Sequence, residues 1–121
     1  MESPYREVRM APTDSEEAAM IVRIVRFTSG LSDEEVRATY EERAPRYRAV
    51  PGLLQKYYLR FPETGEHGAV YIWESEEALE AFGRSELAHT IPDVYRVQGS
   101  PSGEVAGVVM VLHPSLERAT G

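Results

Sequence analysis

The stretch LLQKYYLRFPETGEHGAVYIWES, Leu53 to Ser75, decides the fold. Leu53 to Phe61 is short, aromatic and alternating, which reads as a strand. Leu53, Gln55, Tyr57 and Leu59 share one side, and Leu54, Lys56, Tyr58 and Arg60 the other. Pro62 to Gly68 is a turn-rich connection, and Ala69 to Ser75 is a second strand. Two strands joined by a short polar loop form an antiparallel hairpin.

Working outward, Ala19 to Thr28 is β-branched and mostly apolar on both sides, as a central strand is. Ser32 then opens a helix. Glu35 stands at capping-box spacing, and Asp33 and Glu34 complement the helix N-terminus. Val36, Tyr40, Ala44 and Tyr47 form one stripe. Pro45 removes an interior donor, so a bend or break is expected at Ala44, and Pro51 and Gly52 end the helix. Ser75 caps a second helix with Ala78, Leu79 and Phe82 inward, and a short continuation runs over 85–90. Residues 91–104 hold Pro92, Gly99, Pro101 and Gly103 and read as a long connection with a short strand at 94–97. Val105 to His113 is the closing strand.

The order is β-α-β-β-α-β, an α+β, ferredoxin-like plan with a four-stranded antiparallel sheet. Residues 19–113 make one such domain; 1–18 is expected to be a flexible arm and 114–121 a tail. Two helices cover one sheet face. The other face is also apolar, so pairing with a second copy into a homodimer is expected.

Composition narrows the function. The chain has 121 residues and a net charge of −7, which disfavours nucleic acid as a partner. No run is long and apolar enough to span a membrane. The N-terminus MESPYREVRM carries Glu2 and no apolar core, so it does not read as a secretory leader, and a cytoplasmic location is expected. Cysteine is absent, which removes thiolate catalysis and cysteine-based metal sites. His67, His89 and His113 lack metal-ligand spacing, and no nucleotide-binding glycine motif occurs. No metal and no cofactor is therefore expected.

Seven tyrosines exceed phenylalanine and tryptophan together. Tyr40, Tyr57, Tyr71 and Trp73 are candidate walls of a cavity for a small aromatic ligand; the alternative is a packed core with amphipathic rings at its rim. Tyr71 and Trp73 share one side of their strand; facing the helices would put that cavity inside one subunit, and facing away would put both rings in the dimer barrel with the helices on Val70 and Ile72. His89, or else His67, is the candidate base, each being otherwise a solvated loop or helix-end residue. Arg60 could hold a substrate oxyanion or pair with a carboxylate such as Glu74.

The segment HGAVYIWESEEALEAF, His67 to Phe82, resembles the Gly-rich strand and Ala-rich helix of the YdhR-type monooxygenase-like family. That family lies in the dimeric α/β-barrel superfamily, with the antibiotic-biosynthesis monooxygenases. Gly68 matches the first glycine of the motif, and Ala69 replaces the second. Pro51–Gly52 and the apolar segment 105–112 match as well. The resemblance implies a dimeric barrel and a cofactor-independent monooxygenase acting on a phenolic or polyketide-like compound. A lyase, isomerase or cyclase on the same scaffold, and a non-catalytic binding protein, are the alternatives. The absence of asparagine excludes the Asn-Trp-His set of the superfamily's haem degraders.

Overall fold

The computed structural model describes residues 19–113. The expected arm and tail lie outside the described residues. β1 (Ile21–Ser29), α1 (Asp33–Arg48), β2 (Leu53–Phe61), β3 (Glu66–Trp73), α2 (Glu76–Gly83), α3 (Glu86–His89), α4 (Ile91–Val94) and β4 (Val97–Gly107) follow in chain order. The sheet runs β2-β3-β1-β4 with every pairing antiparallel, which is the ferredoxin-like β-α-β-β-α-β arrangement.

Local chemistry sets the helix starts. Ser32 Oγ accepts from the Glu35 amide and the Glu35 carboxylate accepts from the Ser32 amide, a complete capping box. Ser75 and Ser85 cap α2 and α3 in the same way, accepting from Ala78 and Ala88. The expected break at Pro45 does not occur: α1 continues to Arg48. Pro45 lacks the amide that would donate to the Glu41 carbonyl, and Glu41 is exposed, so water can donate there instead.

The register divides the sheet into two faces. Ile21, Arg23, Val25 and Phe27 of β1 stand opposite Trp73, Tyr71, Ala69 and His67 of β3, on the helix side. Ile21, Tyr47, Ala69, Tyr71, Trp73 and Phe82 make the main core, and Phe27, Val36 and Tyr95 a second, adjoining cluster. Val22, Ile24, Val70 and Ile72 point the other way.

Two expectations are corrected. β3 begins at Glu66, so His67 lies on the strand, not in the loop before it. The turn needs only Pro62–Gly65, because Gly65 takes φ 79° and its amide reaches the Phe61 carbonyl at 2.8 Å. The closing strand is Val97–Gly107, not 105–113. Gly99, Pro101 and Gly103, read as loop punctuation, sit within β4 because β4 is an edge strand. Gly99 has φ 67°, and Gly99–Pro101 bulge opposite Phe27, between the pairs Thr28–Gln98 and Arg26–Ser102. Past Gly107 the Val108 amide still donates to the Met20 carbonyl at 2.9 Å, and Val109, Met110 and Leu112 stand exposed.

Candidate active site

α1 crosses the sheet with Val36, Arg43 and Tyr47 buried beneath it. Between its N-terminal half and β2 lies a groove of about 530 Å³. Tyr40 and Tyr58 line its wall, with ring centroids 4.2 Å apart. Arg60 and His67 line its floor, side by side in the β2–β3 register. Asp33, in the first turn of α1, joins them: one carboxylate oxygen lies 3.0 Å from Arg60 Nε, the other 3.2 Å from His67 Nε2.

His67 is 5% exposed, and its Nδ1 has no hydrogen-bond partner among the described residues. A carboxylate beside Nε2 favours the proton there and leaves the Nδ1 lone pair free to accept. Asp33 and Arg60 are each about half exposed, so their pair adds little stability and acts mainly through orientation. Tyr40 Oη is also buried without a partner. Burial, with Tyr58 nearby, pushes the Tyr40 phenol up to about 12. Tyr58 is raised as well, again chiefly by burial. Both therefore stay protonated at neutral pH and can donate to a ligand oxygen.

The remaining candidates lie elsewhere. Tyr71 and Trp73 do face the helices, stacked at 5.9 Å with planes 6° apart. They wall a separate cavity of about 230 Å³ with Arg23, Leu79 and Phe82, not the groove. Tyr57 lies on the opposite sheet face, paired with Val70 and 42% exposed. It borders another pocket of about 230 Å³ with Gln55, Ile72 and Met110. The rings therefore do not meet around one cavity. Their placement follows the register: Leu54 is skipped where Leu53 pairs with Trp73 and Gln55 with Ile72, which sends Lys56, Tyr58 and Arg60 inward and Tyr57 outward. His89 ends α3, exposed, and lines neither the groove nor the Trp73 cavity. Arg60 pairs with Asp33, not with Glu74.

Asp33 and Tyr58 complete the groove, and the sequence pattern alone did not select them. Asp33 reads as a helix-dipole residue, and nothing local places it against a strand 27 residues away. Lys56 is the second omission. The one signal for it is compositional, a single lysine against twelve arginines. Among the described residues no cluster of His, Cys, Asp or Glu could hold a metal ion. No helix among them is long and apolar enough to cross a membrane.

No family profile matches this chain, and no curated protein matches it. Solved structures do. SnoaB, a cofactor-independent oxygenase from Streptomyces nogalater, is 14% identical and superposes with a TM-score of 0.64, covering 78% of this chain and 97% of its own. A candidate antibiotic-biosynthesis monooxygenase from Caulobacter crescentus is 18% identical with the same TM-score, over 76% and 92%. A protein of unknown function from Nitrosomonas europaea is 16% identical at 0.63, over 79% and 95%. At these identities the likeness shows a shared fold.

Proposed function

We propose that this chain is a cofactor-independent monooxygenase-like enzyme that oxidises a small phenolic or polyketide-like compound in the α1–β2 groove. The observation that carries the reading is His67 at a groove walled by tyrosines, with its Nε2 against Asp33 and its Nδ1 buried without a partner among the described residues. The fold shared with a cofactor-independent oxygenase supports it, and so does the YdhR-like motif over His67 to Phe82.

Each side chain has a distinct part. His67 Nδ1 takes a proton from an activated C–H of the bound substrate, and Asp33 steadies the imidazolium that forms. The Tyr40 hydroxyl and the free nitrogens of Arg60 donate to the substrate oxygen on which charge collects. The carbanion then reduces O₂. One oxygen atom stays on the substrate carbon as a carbonyl, and the other leaves as water, so an activated CH₂ and O₂ balance without a further reductant.

The outer sheet face supports a homodimer. Ile24 and Tyr57 are 37% and 42% exposed there. A second copy laid on this face would cover them and close the barrel.

Oxygen uptake with a panel of hydroxylated anthrones and phenols tests the activity. The expected result is uptake that His67→Gln reduces by about 10²-fold or more. With ¹⁸O₂, label should enter the product. Proton exchange into a substrate without O₂ uptake would instead assign the groove to an isomerase or lyase.

A further inference from the structure

Residues 108–112 read VVMVL, an unbroken apolar run with valine at 108, 109 and 111. Valine at that density favours a strand. Yet β4 stops at Gly107, and among the described residues the bond from the Val108 amide to the Met20 carbonyl, at 2.9 Å, is the last of the ladder. Val109, Met110 and Leu112 are 66% to 72% exposed, more than any other large apolar side chain among the described residues. A strand sequence thus stands without a strand partner in its own chain.

The segment lies on the face where a second copy is expected. Val108, Met110 and Val111 border the pocket of about 230 Å³ that they share with Met20, Gln55, Tyr57 and Ile72 on the outer side of the sheet. A gap of that size means that the segment does not seat tightly on its own sheet. Symmetry then says where a partner strand lies. Two identical sheets closed face to face meet along two seams, and a two-fold axis along the strands makes the seams alike, each with β4 of one copy beside β2 of the other. Strand sense agrees: β4 opposes β1, β1 opposes β3 and β2 opposes β3, so β4 and β2 run in opposite senses, as antiparallel addition needs. The middle of β4 cannot supply the seam, because Pro101 has no amide proton and Gly99 takes φ 67°. Residues 108–112 keep every amide, and β2 has one edge free in the sheet.

We infer that residues 108–112 are an exchanged strand: each copy lays them antiparallel along the free edge of β2 in the other copy. The inference rests on the homodimer reading above and adds which segment seals the barrel. Exchange satisfies the open backbone groups of both the segment and β2. It also takes Val109, Met110 and Leu112 out of water.

Hydrogen–deuterium exchange on the full chain, at a concentration where sedimentation gives the dimer, tests this. The amides of 109–112, and the β2 amides that β3 leaves unbonded, should exchange at least about 10²-fold more slowly than in an unstructured chain. Ile24→Glu with Tyr57→Arg should release both sets together as the dimer separates. Val109→Pro with Val111→Pro removes two donors from the segment and leaves the buried core intact. It should keep the far-UV circular dichroism, deprotect β2 and raise the dimer dissociation constant at least about tenfold. A dimer whose 109–112 amides exchange at free-chain rates overturns the inference and leaves the homodimer standing. So does a proline variant that dimerises as tightly as the unaltered chain, or protection of 109–112 that persists in the separated monomer. Protection of 109–112 without protection of β2 overturns it as well, since the two segments would then pair with each other. A monomer from the unaltered chain removes the homodimer and the exchange together.

Discussion

Asp33 acts on two partners through a single carboxylate, and that makes it separable from the groove's stability. Asp33→Asn should lower turnover by about 10²-fold through misorientation of His67, while the urea midpoint moves little, because the pair is half exposed. An unchanged rate would remove Asp33 from the reaction. Lys56 gives a pH signature instead. With the folded amine near 7 and the unfolded one near 10.5, the unfolded chain binds the extra proton between those values. Stability from this group therefore rises with pH from about 7 and levels off near 10. Arg43 presses the folded amine down, and the rings of Tyr47, Tyr58 and Tyr71 face it. Urea titrations at pH 7 and pH 9 should show the rise, and Lys56→Met should flatten it. Gly68 is constrained by space: a Cβ there would meet the Val25 carbonyl oxygen at 2.1 Å. Gly68→Ala should cost about 2 kcal/mol by chemical denaturation, since β1 cannot retreat without disturbing Phe27 and His67 beside it.

At the scale of elements, α1 carries its own test. Pro45→Ala returns a donor to the Glu41 carbonyl and relieves the ring's clash, so it should stabilise the fold by about 1–3 kcal/mol. A loss of stability would mean that the proline sets how α1 seats on the sheet. The capping box, the serine cap of α2, and the β2–β3 hairpin were all legible in the sequence, because each rests on residues within a few positions of one another. That Tyr71 and Trp73 share a side was legible from two-residue spacing, but both sheet faces are apolar, so which side they take was not. What escaped rests on distant pairing. The skipped Leu54 reverses which β2 residues point inward, and only the β3 register reveals it. The strand over 97–104 escaped because glycine and proline mean a loop in isolation and a tolerated bulge beside β1. Asp33 and Lys56 escaped for the same reason: their partners are brought to them by topology.

For the whole molecule the outer sheet face makes the clearest demand. Sedimentation at micromolar concentration should give twice the monomer mass, and Tyr57→Arg with Ile24→Glu should return a folded monomer. A monomer from the unaltered chain would leave the barrel without its second half. The bulge at Gly99–Pro101 bears on a different kind of association. A fibre built by strand addition needs two usable edges on every chain, one to accept and one to offer. β4 offers a ladder broken in its middle, where Pro101 has no amide proton and Gly99 turns the backbone out of register. Only β2 is left with a longer edge, and two β2 edges that meet consume each other. Edge-to-edge pairing of single copies thus terminates at a pair.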